Sequence, residues 1–161
     1  MLRVGQGYDI HRLVEGQPLR LGCIEVPFEL GALGHSDGDA AAHALCDALL
    51  GAAGLGDMGV FFPSSDPRWK DAASTIFLRE VAERLAAMAV RVLSADVTIV
   101  IERPRLSSHL EAMRLAMATA LGIDADLLSV KAKSNDGLGP VGEGQAVAAL
   151  AVALVDVPSR S

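Results

Sequence analysis

An apolar run near the end of the chain, residues 145–157, constrains the fold of this 161-residue sequence more than any other feature. Ala, Val and Leu fill almost every position, so a strand here would be apolar on both of its faces. The pattern also fits a buried helix, because periodicity alone does not separate the two. The β-rich residues 96–101 share this two-faced character. Both segments therefore need apolar cover on two sides.

The other periodic segments supply the remaining elements. Further strand signals lie at residues 2–8, 18–21, 24–26, 92–101 and 127–132. Helical spacing of apolar residues occurs over 39–53, 71–88 and 108–122. A capping box at Ser108–Glu111 is expected to open the third helix, and Gly122 to end it.

These elements predict an α+β fold, a two-layer sandwich of a four- or five-stranded mixed sheet with about three helices on one face. Three helices cover only one face of such a sheet. The apolar residues of the opposite face therefore need another partner, and a partner subunit is the simplest candidate.

Composition narrows the class of protein. The formal net charge of -6 argues against nucleic acid as a partner, since a duplex binder needs a basic patch. We find no apolar leader and no membrane-length apolar run, and we expect one catalytic domain over 1–161 in the cytoplasm. Cys23 and Cys46 lie in apolar surroundings, and we interpret them as buried free thiols.

Three residues form the candidate metal site. Asp9 and His11 stand two apart at the expected end of a strand, so both side chains leave the same face. His43 supplies a third ligand if its helix begins beside that strand. Two imidazoles and a carboxylate suit a cation such as Zn²⁺ and leave a fourth position open to substrate or water. Considered alone, the Asp-x-His pair is a weak signal, because Asp and His more often cap a turn.

A polar stripe surrounds the third ligand. Asp39, His43 and Asp47 follow one another at intervals of four residues along one side of the predicted helix. We therefore predict that Asp47 or Asp39 orients the His43 imidazole as a hydrogen-bond acceptor.

Two polar loops are candidates for binding phosphate. Residues 34–39 combine glycines and a hydroxyl with the amino end of a helix. Asp39 there is explained equally well as a simple N-cap. Residues 131–137 offer lysines and a serine to phosphate and Asp136 to a cation, with a solvated turn as the alternative interpretation.

Taken together, the motifs resemble the family of 2-C-methyl-D-erythritol 2,4-cyclodiphosphate synthases. The resemblance rests on residues 5–11 with Asp-x-His, 34–43 with HSDGD-xxx-H, 47–53, 55–59 with LGDxG, 62–63, 66–67, 96–99, Pro104 and 130–133. These motifs span nearly the whole chain in the family's order and spacing, and the combination is far more specific than any one motif.

The resemblance implies an activity and an assembly. Members of the family are phosphorus-oxygen lyases of the non-mevalonate isoprenoid pathway. They convert 4-diphosphocytidyl-2-C-methyl-D-erythritol 2-phosphate to the cyclic 2,4-diphosphate and CMP. They form homotrimers in which the sheets pack together and the active sites lie between subunits.

The resemblance also implies roles for individual residues. Asp9, His11 and His43 correspond to Zn²⁺ ligands, and Asp136 to the ligand of a second divalent ion, Mg²⁺ or Mn²⁺. His35 and Ser134 correspond to groups that stabilise the transition state. The implied substrate-binding residues are Ser36, Asp57, Met58, Gly59, Phe62, Pro63, Ser64, Ser65, Asp66, Ile101, Pro104, Arg105, Leu106, Ser107, Lys133, Asn135 and Asp136.

The chain departs from the family pattern at three places. Ser64 stands where an acidic residue is frequent, and Ser134–Asp136 replaces a common Thr-Thr-Glu. Glu143 stands where many members carry an arginine that can bind a phosphate in the trimer channel, which weighs against such a channel site. Two alternative functions stay open on the residues alone, a metal-dependent phosphohydrolase with a similar site and a non-catalytic, metal-stabilised trimeric binding module.

Overall fold

The structure, a computed structural model, describes residues 1–159. Its strands, in chain order, are β1 (Leu2–Glu15), β2 (Leu19–Leu21), β3 (Ile24–Val26), β4 (Leu30–Leu33), β5 (Arg91–Val100), β6 (Leu128–Lys133) and β7 (Ala146–Asp156). Five of them form one sheet in the order β4-β1-β7-β5-β6, and β2 and β3 form a separate hairpin. In the large sheet β5 and β6 run parallel and the other neighbours antiparallel, so the predicted mixed sheet is confirmed.

Three long helices cover one face of this sheet. Residues 1–159 contain five α-helices, α1 (Ala40–Ala53), α2 (Met58–Phe61), α3 (Ser74–Ala87), α4 (Leu110–Leu121) and α5 (Gly139–Gly142). The three long ones are α1, α3 and α4, and α2 and α5 have four residues each. Helix α1 contacts β1, β7 and β5, α4 contacts β6, and α3 packs against α1 and α4. The predicted α+β sandwich is thereby confirmed. No helix within residues 1–159 has both the length and the apolar character that a membrane crossing requires.

Two glycines let α1 approach the sheet closely. A Cβ atom on Gly5 would lie 2.0 Å from the Ala48 carbonyl oxygen, and one on Gly7 would lie 1.9 Å from that of Ala44. Any side chain at these positions would therefore push the helix off β1. The same strand and helix carry the candidate metal ligands, so this close contact brings them together.

The opposite face of the sheet is uncovered in the single chain and is mostly apolar along β1 and β7. Along β5 and β6 it carries Asp96, Thr98 and Lys131, so the prediction that residues 96–101 are apolar on both faces is wrong. The exposed apolar side chains of this face have relative exposures of 38–67% and are Leu2, Val4, Tyr8 and Ile10 of β1 and Leu150 and Val152 of β7. The alternate residues of both strands face the helices. The two-faced apolar pattern of residues 145–157 thus belongs to a strand, which resolves the ambiguity in the sequence.

The structure corrects two sequence predictions. Strand β1 continues to Glu15, because it pairs with β7 as far as Arg12 and with β4 from Arg12 onward. Asp9 and His11 therefore lie within the strand, not at its end. The capping box at 108–111 is wrong, since His109 is the N-cap of α4 and its side chain makes no capping hydrogen bond.

Candidate metal centre and substrate clefts

The candidate metal ligands meet between β1 and α1. Asp9 and His11 lie on the face of β1 that meets the helices, and His43 lies in the first turn of α1. Asp39 caps this helix and accepts a hydrogen bond from the Ala42 amide. The cap fixes where the helix begins, and the close packing on Gly7 sets how near its first turn comes to the strand.

Three ligand atoms converge at this point. Asp9 Oδ2 lies 2.8 Å from His11 Nε2 and 2.9 Å from His43 Nδ1, and the two ring nitrogens lie 3.3 Å apart. A tetrahedral ion with bonds of about 2.0–2.2 Å holds its ligand atoms about 3.3–3.6 Å apart. The donor set and its spacing therefore fit a divalent metal ion after small side-chain rotations. Within the described residues these three are the group of acidic, histidine and cysteine side chains that could hold an ion.

The electrostatics of the centre follow from this convergence. Burial alone would raise the pKa of Asp9, but hydrogen bonds and charge from His11 and His43 outweigh it and lower that pKa to about 2. Burial likewise opposes protonation of His11, yet its hydrogen bond and charge interaction with Asp9 raise its pKa. A bound cation would take the place of a proton shared between Asp9 and the histidine nitrogens that face it, so the site is already arranged for positive charge.

The remaining nitrogens of both rings have protein partners. His11 Nδ1 lies 3.0 Å from the Leu33 carbonyl oxygen of β4, which accepts its proton and leaves Nε2 free for a metal. His43 Nε2 lies 3.2 Å from the hydroxyl oxygens of both Ser36 and Ser74. Each imidazole is therefore held from the side opposite the centre.

A small cleft of about 210 Å³ opens beside the metal centre. Its lining residues are Asp9, His11, His35, Ser36, His43, Asp47, Met58, Phe62, Ser64, Trp69 and Phe77. Of the substrate residues implied by the resemblance, Ser36, Met58, Phe62 and Ser64 line this cleft. Asp57, Gly59, Pro63, Ser65 and Asp66 belong to the same segment but do not line it.

Aromatic packing that the sequence did not predict supports this cleft. The rings of Phe62, Trp69 and Phe77 pack in T-shaped and tilted arrangements, with centroids 4.9–5.7 Å apart. Phe77 also contacts the edge of the His43 ring at 5.8 Å. The only signal in the sequence was the concentration of aromatic residues in this part of an otherwise aromatic-poor chain.

A larger cleft of about 780 Å³ lies where strands β5 and β6 end. Its lining residues are Phe28, Ile101, Glu102, Arg103, Pro104, Arg105, Leu106, Ser107, Leu110, Ala132, Lys133 and Ser134. Seven of the predicted site residues line it, namely Ile101, Pro104, Arg105, Leu106, Ser107, Lys133 and Ser134. Phe28, Glu102, Arg103 and Leu110 were missed, because no motif marks them, and Ala132 lies in the motif 130–133 but was not assigned to the site.

The loop after β6 is held beside this cleft. The backbone amide of Asn135 donates to Glu102 Oε2 at 3.2 Å, and the Ser134 hydroxyl donates to Asp136 Oδ1 at 3.2 Å. Asp136 has a positive φ of 50°, so its carboxylate sits at a sharp turn. Neither Asn135 nor Asp136 lines the cleft itself.

The polar stripe of α1 does not act as predicted. Asp39 Oδ1 and Oδ2 accept from the Gly22 and Cys23 amides at 2.8 and 2.6 Å, so this carboxylate joins the helix to the β2–β3 hairpin. Asp47 Oδ1 accepts from the Met58 amide at 2.8 Å. Neither carboxylate contacts a His43 nitrogen, so the orienting role assigned to them is wrong in this structure.

Fold and site together define a small α+β protein in which one aspartate and two histidines that could hold a metal ion meet beside an open cleft. More specifically, the chain belongs to the YgbB family, whose family model matches residues 2–156.

Individual relatives agree with this assignment. A 2-C-methyl-D-erythritol 2,4-cyclodiphosphate synthase of Gloeobacter violaceus is 52% identical over 155 residues, covering 96% of this chain and 95% of its own. A solved structure of 2C-methyl-D-erythritol-2,4-cyclodiphosphate synthase with bound CDP superposes with a TM-score of 0.87 at 42% identity, covering 96% of this chain and 100% of that one. The bifunctional IspDF of Campylobacter jejuni superposes with a TM-score of 0.93 at 31% identity. The match covers 99% of this chain and 43% of that longer chain.

Proposed function

We propose that the protein converts 4-diphosphocytidyl-2-C-methyl-D-erythritol 2-phosphate to 2-C-methyl-D-erythritol 2,4-cyclodiphosphate and CMP, in the non-mevalonate isoprenoid pathway. The observation that carries the proposal is the convergence of Asp9, His11 and His43 beside an open cleft. The reaction is a phosphoryl transfer, for which positioning and charge neutralisation matter more than proton transfer. Full-length relatives named for this synthase support the assignment.

The atoms of this reaction balance without any other reactant. An oxygen of the 2-phosphate forms a bond to the β-phosphorus, and the bond from that phosphorus to the oxygen shared with the CMP phosphate breaks. The electron pair leaves with CMP. The ring closes within one substrate molecule, so the enzyme must hold the 2-phosphate and the diphosphate close together.

We assign Zn²⁺ to Asp9, His11 and His43, and Mg²⁺ or Mn²⁺ to Asp136. Such ions, when bound, neutralise charge on the diphosphate and hold it for in-line attack. The protein ligands leave a fourth zinc position to the substrate. Asp136 is shorter than the glutamate common in the family, so its ion is expected to bind more weakly or through water.

The residues of the larger cleft suit a nucleoside diphosphate. Arg103, Arg105 and Lys133 bring positive charge to a chain of net charge -6. Ile101 and Leu106 provide apolar surface for the flat face of a base. We assign the cytidine and its phosphates to this cleft and the erythritol to the smaller one. His35 and Ser134 remain the proposed transition-state groups, one at each cleft.

The uncovered apolar face supports the homotrimer. The sheet presents six exposed apolar side chains on β1 and β7, and packing three sheets around an axis would bury them. We expect a particle of three times the 16.7 kDa chain mass, measured by light scattering. The free thiols of Cys23 and Cys46 suit the reducing cytoplasm that we propose as its location.

Turnover of the cytidyl substrate tests the function directly. Purified protein with Zn²⁺ and Mg²⁺ should release CMP and the cyclic diphosphate in equal amounts. Release of a nucleotide together with an open-chain phosphate would indicate a metal-dependent phosphohydrolase instead. Absence of any turnover, with substrate still bound, would indicate a binding module.

Asp47 should control substrate binding rather than the metal. Its carboxylate holds the Met58 amide, at the start of a segment that lines the small cleft. Asp47→Ala removes a charge-assisted hydrogen bond and should raise KM by roughly 10-fold. Zinc affinity should stay close to that of the parent. Asp47→Asn keeps an acceptor for the amide and serves as the matched control. A loss of zinc with an unchanged KM would restore the orienting role that the sequence suggested.

A further inference from the structure

The two ring nitrogens of His43 face different surroundings. Nδ1 points to the convergence point with Asp9 and His11, whereas Nε2 points away from it toward two serine hydroxyls. Ser36 and Ser74 lie at the same distance from Nε2, 3.2 Å. The nitrogen carries at most one proton, so the surroundings of each hydroxyl decide what that hydroxyl does to the ring.

Ser74 is the hydroxyl whose own proton is already committed. Its oxygen lies 2.5 Å from Asp37 Oδ1, and an ionised carboxylate can only accept. The single Ser74 proton therefore points to Asp37, which leaves the oxygen lone pairs facing His43. An oxygen in that state accepts a proton from Nε2 and cannot donate one to it.

Asp37 is itself firmly held. Its Oδ2 accepts from the Ser74 amide at 2.7 Å, and its Oδ1 also lies 3.3 Å from the Asp39 amide. Helix α3 begins at Ser74, and its N-cap, Ala73, offers no side-chain acceptor, so Asp37 serves that helix end from another segment. Ser74 is only 1% exposed, so bulk solvent does not compete for its hydroxyl.

We infer that Asp37 and Ser74 form a positioning pair that keeps the proton of His43 on Nε2 and turns its Nδ1 lone pair to the metal. The inference rests on the proposed metal centre and adds the residues that prepare its third ligand. Neither residue belongs to the three candidate ligands or lines the small cleft. The pair acts through the ring of His43, and outer partners of this type typically change metal affinity by about 10–100-fold.

Ser36 is the natural comparison within the same site. Within residues 1–159 its hydroxyl has His43 as its hydrogen-bond partner, and the neighbouring Asp37 carboxylate bonds to Ser74 instead. Its proton is thus free to rotate, and the side chain lines the small cleft where substrate is proposed to bind. Ser36 cannot dictate which nitrogen of His43 is protonated, although its oxygen is equally near.

Zinc affinity of matched variants provides the test. Metal-free Ser74→Ala and Ser36→Ala proteins would be titrated with Zn²⁺ against a competing chelator. Ser74→Ala should bind zinc about 10–100-fold more weakly, and Ser36→Ala should stay within about threefold of the parent. Equal weakening in both variants, or parental affinity in Ser74→Ala, would overturn the pair.

A second measurement does not depend on how the variants fold. In parent protein with ¹⁵N-labelled histidine and bound ¹¹³Cd²⁺, the metal should show scalar coupling to Nδ1 of His43 and to Nε2 of His11. Coupling to Nε2 of His43 would mean that the ring is reversed, and the inference would be wrong. Neither measurement uses the cytidyl substrate. A protein that passes both but does not turn over would therefore refute the proposed function alone.

Discussion

Replacing His43 with Ala is expected to abolish turnover of the cytidyl substrate and to remove zinc from the purified protein. His43 is one of the three ligands proposed for the centre, and its Nδ1 stands 2.9 Å from the Asp9 carboxylate and 3.3 Å from the second imidazole. Loss of a direct ligand should weaken zinc by more than the roughly 10–100-fold typical of outer partners. Metal analysis after dialysis and a CMP-release assay measure the two effects.

The fold should survive this substitution. The core of α1 consists of Ala and Leu side chains that do not depend on the imidazole, so circular dichroism and particle mass should match the parent. His109→Ala is the matched control, because His109 lies at the start of α4, outside both clefts, and lines neither. A His43→Ala protein that retains one zinc per chain would show that the ligand assignment is wrong.

The convergence of the candidate metal ligands could be predicted in part from sequence, because the Asp9–His11 signal is local. Asp9 and His11 share a face in any extended segment, whether they lie within a strand or at its end. The error in the predicted end of β1 therefore did not change which face Asp9 and His11 share. What sequence could not supply was the approach of His43, which depends on Gly5 and Gly7 admitting α1 to the sheet.

The misassigned carboxylates show the limit of helical periodicity. Spacing of four residues places Asp39, His43 and Asp47 along one side of α1, but it does not say which atoms each carboxylate meets. Asp39 sits at the N-cap and turns back to the hairpin amides, and Asp47 reaches the following loop. The groups that contact Nε2 of His43 are instead Ser36 and Ser74, and Ser74 lies 31 residues further along the chain without any local signal.

Capping patterns failed for a similar reason. Ser108 and Glu111 match a capping box in sequence, but Glu111 instead pairs with Arg114 at 2.8 Å on the helix surface. A nearby cation competes for the glutamate better than a backbone amide does, since the pair is charged on both sides. Fold class was more robust, because it depends on the sum of many apolar positions rather than on one contact.

The positions of the two clefts bear on how the active site is assembled. Across the sheet, Ile10 of β1 pairs with Ala148, Ala148 with Val100, and Val100 with Lys133 of β6. Three strand spacings of about 4.8 Å separate β1 from β6 by roughly 14 Å. The two proposed metal sites would have to bind the same diphosphate, whose two phosphorus atoms are neighbours. A single chain holds the two halves too far apart for that, so we expect each active site to combine halves of two subunits.

Two inactive variants should therefore restore activity when they share a trimer. His43→Ala lacks the zinc half, and Asp136→Ala lacks the proposed second-ion half, so each alone should be inactive. Unfolding both, mixing them equally and refolding should give hybrid trimers in which one interface joins an intact zinc half to an intact nucleotide half. Because the interfaces are head-to-tail around a closed ring, random mixing predicts about a quarter of the parental activity.

This experiment separates shared from single-chain sites because the two arrangements place the lesions differently. If Asp136 served the zinc centre of its own chain, every site in every hybrid would carry one lesion, and mixing would restore nothing. The refolded Asp136→Ala protein alone, carried through the same procedure, controls for residual activity of the weaker lesion. Native mass spectrometry of chains with different tags establishes that hybrids are present. If hybrid trimers are present but inactive, the two halves of an active site do not come from different subunits, and the shared-site proposal is rejected.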